Sequence, residues 1–65
     1  MTEPDDFIRL PAVTASTGLS KSEIYRRVQA GTFPRPIRLS HRVSVWTKSS
    51  VTRWKREWIR KALLG

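Results

Sequence analysis

The sequence lacks several features on which whole classes of protein depend. It contains no cysteine, which excludes a disulfide framework and a thiolate metal site, and it has one histidine. No apolar run approaches the ~20 residues of a membrane-spanning helix. Its 65 residues suffice for one small domain, and a chain of this length buries only about 60% of its unfolded surface. We therefore expect no catalytic activity, no metal and no cofactor.

Acidic residues are also scarce, since 5 Asp plus Glu stand against 13 Lys plus Arg and give a net charge of +8. Three of these acids lie in residues 1–6, which we expect to be a disordered acidic leader. Residues 7–65 then carry 13 basic and 2 acidic side chains, and nine of the basic ones are arginine. Arginine's planar fork suits phosphates and guanine edges. The composition therefore favours a nucleic acid over a membrane surface, which would need a wide apolar face turned outward.

A first short helix is predicted over residues 11–17. The extended segment 7–10 leads into Pro11, which fits the first helical position because its missing N–H would have no partner there. Gly18 fits the left-handed residue that ends such a helix.

A second helix follows almost at once. Ser20-Lys21-Ser22-Glu23 has the pattern of a capping box, and the helix it starts would run to Ala30 and stop at Gly31. Ile24 and Val28 lie four residues apart and define its buried face. The two helices form a tight helix-turn-helix, in which the second is the recognition helix.

A β-hairpin is predicted after the recognition helix. Two prolines in residues 32–36 exclude a helix there. Residues 37–39 and 43–46 alternate apolar with polar side chains on either side of a short polar tip at 40–42. The tip has neither glycine nor asparagine, so its turn type is not predicted.

The last helix is expected to start at Thr47 or Lys48 and to bury a stripe of apolar residues at helical spacing. The stripe comprises Val51, Trp54, Trp58, Ile59 and Ala62. We expect the three tryptophans to form the mass of the core, although stacking on single-stranded nucleic acid is the alternative. The predicted fold is mainly α with a small β-hairpin, a winged helix-turn-helix DNA-binding domain over residues 7–63.

The recognition helix presents seven candidate DNA contacts: Ser20, Lys21, Ser22, Tyr25, Arg26, Arg27 and Gln29. Lys21 and Ser22 lie near the helix N-terminus, where the helix dipole favours a phosphate. One turn further along the same face, Arg26 could fork onto guanine O6 and N7, and Gln29 could pair with adenine.

Two of these seven residues have a second interpretation. Tyr25 would either contact a phosphate or thymine methyl, or place a half-buried ring against the hairpin. Arg27 lies nearer the buried stripe, and we expect its long side chain to reach over the edge of the core toward a phosphate.

The wing contributes six further candidates: Arg35, Arg38, Ser40, His41, Arg42 and Lys48. Arg38, His41 and Arg42 cluster at or beside the tip, a composition suited to the negative potential of a narrow minor groove. The alternative is an ordinary solvated turn. Arg35 and Lys48 flank the hairpin and would contact the DNA backbone. The basic face of the last helix is either solvated or in contact with phosphates.

Several motifs together resemble the AlpA family of phage- and prophage-encoded regulators, which are akin to the MerR-like excisionases. They are Arg9-Leu10-Pro11, Thr17-Gly18-Leu19-Ser20-Lys21-Ser22, Ile24-Tyr25-Arg26, residues 31–39, Val45-Trp46, and Val51 with Trp54. The similarity covers residues 8 to about 62. This chain departs from the family in having Arg27 at a usually apolar position and Ser40-His41-Arg42 at an often glycine-rich tip.

The resemblance implies a winged helix-turn-helix protein that binds specific double-stranded DNA, an operator or an attachment site. It would act as a transcriptional regulator, as an excisionase in DNA recombination, or as both, in the bacterial cytoplasm at the nucleoid. An integrase or recombinase and neighbouring copies on repeated sites are the further partners it implies, with no membrane. Two alternatives stay open: a small RNA-binding module, and a recombinase-recruiting protein that uses Leu63, Leu64 and the last helix.

Overall fold

The computed structural model describes residues 5–65, which form three helices and a small antiparallel sheet. In chain order the elements are β1 (Phe7–Ile8), α1 (Leu10–Thr17), α2 (Lys21–Ala30), β2 (Ile37–Arg38), β3 (Ser44–Thr47) and α3 (Lys48–Leu64). Helices α1 and α2 form the helix-turn-helix, β2 and β3 form the wing, and α3 follows. The winged helix-turn-helix prediction is confirmed. Of the predicted leader, residues 1–4 lie outside the described part of the chain.

The sheet has three strands in the order β1-β3-β2. The predicted hairpin pairs Ile37 with Val45 and Arg38 with Ser44. The segment expected only to be extended adds β1 on the other edge, where Ile8 pairs with Trp46. Because β3 is the central strand, its Val45 and Trp46 are both buried.

Glycines end both helices of the helix-turn-helix, as predicted. Gly18 has φ 76° and Gly31 has φ 79°, the left-handed conformation that glycine adopts without a Cβ clash. The Gly18 N–H donates to the Thr14 carbonyl at 2.9 Å, which completes the last turn of α1. Helix α1 begins at Leu10, one residue before the predicted start, with Arg9 as its N-cap.

The core is a single small cluster at the junction of the three helices with β3. It consists of Val13, Ile24, Phe33, Trp46 and Val51. Trp46 is fully buried, and its indole N–H donates to the Pro34 carbonyl at 2.8 Å. Buried polar groups are costly unless they are hydrogen-bonded, so this bond fixes the connector before β2 to the core.

Helix α3 buries only the first half of its apolar stripe. Val51 is buried and Trp54 is half-buried, with its indole N–H donating to the Thr32 carbonyl at 2.8 Å. Trp58, Ile59 and Ala62 are exposed, so the predicted buried stripe is wrong beyond Trp54. The reason is length: a helix of 17 residues is about 25 Å long, and the core cluster reaches only its first turns. The expectation that tryptophans form the core therefore holds for Trp46 and partly for Trp54, not for Trp58.

The last residues of the predicted leader bind the start of α3. The Asp5 carboxylate accepts a hydrogen bond from the Ser49 N–H at 2.9 Å, and the Asp6 carbonyl accepts one from the Lys48 N–H at 2.8 Å. Hydrogen bonds from the Ser49 side chain and backbone hold the pKa of the Asp5 carboxyl below its usual value. These contacts satisfy N–H groups that the first turn of a helix leaves without partners.

Candidate nucleic-acid interface

The exposed face of α2 carries most of the predicted recognition residues. Ile24 is buried and Val28 half-buried, which turns the opposite side of the helix outward. The structure places six of the seven candidates in exposed positions: Ser20, Lys21, Ser22, Tyr25, Arg26 and Gln29. From Ser22 to Gln29 this face extends about 10 Å along the helix axis, which a major groove can accommodate.

Ser20 and Glu23 set the start of this helix. Ser20 Oγ accepts a hydrogen bond from the Glu23 N–H at 3.2 Å, which is the first half of the predicted capping box. The Glu23 carboxylate, however, lies 3.5 Å from Arg26 and 3.5 Å from Arg27 instead of closing the box on the Ser20 N–H. Both pairs are partly solvated, so each stabilises the helix by less than about 1 kcal/mol. Arg26 can therefore exchange this carboxylate for another acceptor at little cost.

Arg26 and Arg27 are neighbours with different surroundings. The Arg26 side chain is 73% exposed, whereas that of Arg27 is 31% exposed. The Arg27 guanidinium carbon lies 6.0 Å from the Trp54 ring centroid and 5.8 Å from that of Trp58, a cation–π arrangement. The structure thus turns Arg27 toward α3, away from the exposed face that carries Arg26, and two aromatic rings accommodate its charge.

Tyr25 has the packing position of its second interpretation, and its predicted contact with DNA stays a prediction. Its ring centroid lies 6.4 Å from that of Trp46, so the ring packs against the central strand of the sheet. The residue nevertheless remains partly exposed on the outer face of α2. Tyr25 is therefore the point at which the recognition helix meets the sheet.

The wing ends in a short turn with polar side chains outward. Arg38, Ser40, His41 and Arg42 are all exposed. The Val43 N–H donates to the Ser40 carbonyl at 3.3 Å, and Ser40 Oγ accepts from the Arg42 N–H at 3.4 Å. Within residues 5–65 only glycines have positive φ, so no residue of this turn adopts the left-handed conformation. The turn therefore needs neither glycine nor asparagine, and the serine hydroxyl supports it instead.

The two residues predicted to flank the wing lie in different places. Arg35 is exposed in the connector just before β2. Lys48 is the first residue of α3, at the end of β3 remote from the tip, and it borders a shallow depression with Asp5 and Ser49. Lys48 thus flanks the wing at the end where β3 runs directly into α3, away from the turn, and its contact with the DNA backbone stays a prediction.

A cleft joins the recognition helix to the wing. It has a volume of about 360 Å³ and is lined by Arg9, Leu10, Pro11, Tyr25, Arg42 and Ser44. Two guanidinium groups from distant parts of the sequence, with a phenol and a hydroxyl, thus border one opening, a donor set that suits a phosphate oxygen.

Arg9 was not among the predicted contacts. The alternation of residues 7–10, with Ile8 and Leu10 inward and Phe7 and Arg9 outward, signals that Arg9 is exposed. That pattern gives no indication of its proximity to Arg42, which depends on the pairing of β1 with β3.

Other site chemistries find little support in the described residues. Residues 5–65 contain no group of three or more His, Asp or Glu side chains that could hold a metal ion. None of the helices in this part of the chain is long and apolar enough to cross a membrane. His41, the single histidine, lies exposed at the wing tip.

Comparison with known proteins shows the family of the chain. The family model described as "Prophage CP4-57 regulatory protein (AlpA)" matches residues 6–63. A relative from Enterobacteria phage P4, the uncharacterized protein ORF88, is 40% identical over 48 residues, which is 74% of this chain and 54% of the relative. The chain thus spans about half the length of that relative. Since the family model covers nearly all of the sequence, the protein belongs to the AlpA family of phage regulatory proteins.

Proposed function

We propose that this protein binds specific sites in double-stranded DNA, with α2 in the major groove and the wing on the adjacent backbone or minor groove. It would serve a phage or prophage as a transcriptional regulator, as an excisionase, or as both. Its operator or attachment site would lie in DNA of the bacterial cytoplasm, and an integrase and neighbouring copies of the protein would be its partners there.

The observation that carries this proposal is the cleft between α2 and the wing. Tyr25 on the recognition helix lines it together with Arg42 and Ser44 of the wing and Arg9 before α1. The outer face of α2 and the wing therefore belong to one continuous surface. In a docked complex, a phosphate of the strand that borders the major groove would lie in the cleft while α2 reads the bases.

The residues of α2 then divide by role. Lys21 and Ser22, in the first turn, would hold a phosphate at the positive end of the helix dipole. Arg26 is the best placed reader of a base, since its side chain is 73% exposed and an arginine forks onto guanine. Gln29 would contact bases further along the groove. Arg27 would not read a base, because its guanidinium lies over Trp54 and Trp58.

The two adjacent arginines provide the test. Arg26→Ala should reduce the preference for the cognate site over scrambled DNA by about 1–3 kcal/mol, because it removes a bidentate base contact. Arg27→Ala should leave that preference unchanged and lower stability instead. The cognate site would first be found by footprinting on the DNA around the protein's own gene and any adjacent attachment site. Affinities would then be measured by fluorescence anisotropy on cognate and scrambled duplexes.

A matched RNA probe distinguishes specific DNA binding from the main alternative, a small RNA-binding module. At one salt concentration, the protein should bind the cognate duplex DNA more tightly than structured RNA of equal length. Equal specificity in the Arg26→Ala variant and the parent, or tighter binding to the RNA, would contradict the proposal.

A further inference from the structure

The second half of α3 carries an exposed apolar surface that the proposed DNA contacts do not use. It consists of Trp58, Ile59, Ala62 and Leu63, here called the α3 band. These positions are one, three and four residues apart, so they lie on one face of the helix. Ile59 is 59% exposed and Leu63 is 81% exposed. Apolar side chains grouped on an exposed face mark an interaction site more often than the same residues scattered singly.

The band continues the face of α3 that is buried about two to three turns earlier, at Val51. On the same side of the helix, Lys55 Nζ donates to Ser16 Oγ of α1 at 2.7 Å. The end of α1 therefore lies on the same side of α3 as the band.

Positive charge borders the band on both edges. Lys61 lies on one side, with its Nζ 5.2 Å from the Trp58 ring centroid, and Arg56 lies on the other. The single acid of α3, Glu57, is on the far side of the helix, where it pairs with Arg60 at 3.5 Å. In all, α3 has six basic side chains and one acidic side chain. Two copies brought together through this face would oppose cation to cation, because both edges have the same sign.

We propose that the α3 band docks an acidic amphipathic helix of a partner protein. The partner's apolar face would cover Ile59 and Leu63, and its carboxylates would meet Arg56 and Lys61 along the edges. This is the helix-in-groove mode of recognition, with anchors at helical spacing. The site is separate from the DNA-binding cleft, so the protein would hold DNA and the partner at the same time.

The test uses two synthetic helical peptides with leucine along one face. One carries glutamate on its polar face and the other carries lysine at the same positions. Titration into the full chain should show binding of the glutamate peptide only. The double variant Ile59→Gln, Leu63→Gln should weaken that binding roughly tenfold or more, since it removes two buried apolar anchors.

Leu64→Gln is the matched control. Leu64 is 80% exposed, like Leu63, but is rotated about 100° from it around the helix axis. This variant should bind the glutamate peptide as the parent does. All these substitutions are at exposed positions, so thermal unfolding followed by circular dichroism should be unchanged and the affinity for duplex DNA should be preserved. Retained DNA binding with lost peptide binding supports this proposal independently of whether the DNA site is correctly assigned.

Four results would overturn the proposal. They are equal binding of the lysine peptide, unchanged peptide affinity in the double variant, and parallel loss of peptide and DNA binding in that variant. The fourth is evidence that another occupant covers the α3 band. A second copy would be shown by a concentration-dependent dimer in sedimentation that the double variant abolishes. A lipid surface would be shown by binding to anionic vesicles that the double variant abolishes.

Discussion

Replacing Trp46 by phenylalanine should cost a large part of the total stability of this domain. Trp46 is fully buried, and its indole N–H donates to the Pro34 carbonyl at 2.8 Å. Loss of that hydrogen bond is worth about 0.5–1.5 kcal/mol. The smaller ring also removes buried carbon atoms at about 0.8 kcal/mol per CH₂-sized group. With the cavity left behind, we expect a decrease of about 3 kcal/mol in the free energy of unfolding. A domain of this length has roughly 3–10 kcal/mol in total.

The assay is urea unfolding followed by far-ultraviolet circular dichroism, which does not depend on the removed fluorophore. The midpoint should fall without a change in slope. Trp58→Phe is the control, because it makes the same chemical change at an exposed ring, and it should cost less than about 1 kcal/mol. If the two variants lost equal stability, the placement of the core around Trp46 would be wrong.

Three other outcomes can be measured on the same protein. Arg42→Ala and Arg9→Ala should each weaken binding to every duplex and reduce the slope of log affinity against log salt by about one. Anisotropy titrations at several salt concentrations would measure this slope. An unchanged slope would contradict the proposed contact between the cleft and a DNA phosphate. Gly31→Ala should destabilise the fold by about 1 kcal/mol in urea unfolding, since φ is 79° there; a gain in stability would contradict the left-handed helix end. The lowered pKa of Asp5 means that its contribution to stability is present above the usual aspartate pKa and is lost as pH falls through the lowered value. Ser49→Ala should raise the pKa of the Asp5 carboxyl measured by NMR titration, because it removes the Ser49 side-chain hydrogen bond. An unchanged pKa would mean that another group lowers it.

Signals confined to a few neighbouring residues predicted the helix-turn-helix well. Pro11, Gly18, Ser20 and Gly31 each act on the backbone within one turn of their own position, so their effect does not depend on the rest of the fold. The starts and ends of α1 and α2 were therefore predicted to within one residue. The exposed face of α2 followed from the same local geometry, because Ile24 and Val28 fix which side is inward.

The pairing of the third strand had no comparable signal, although residues 7–10 were expected to be extended. β1 is two residues long, and its partner β3 lies about 40 residues away in the chain. Strand pairing of this kind depends on tertiary packing, since a dipeptide has no periodicity to read. The same lack of a local signal explains why Arg9 was overlooked, because Arg9 and Arg42 meet at the cleft only through the packing of β1 and α1 against β3.

Helical spacing predicted which residues of α3 share a face but not where that face is covered. Val51 and Trp58 belong to one stripe, yet the core reaches only the first of them. Whether a position is buried depends on what other elements lie opposite, which periodicity does not contain.

The central place of β3 also governs the order in which the chain can fold. Helices α1 and α2 meet through a three-residue turn, so their contacts close a short loop at little entropic cost. The pairing of β1 with β3 closes a loop of about 40 residues, and contacts of high sequence separation form slowly. We therefore expect the helix-turn-helix to assemble first and the first strand to dock last. Arg9 lies directly after β1, so completion of the cleft that we propose to contact DNA would coincide with the final step of folding.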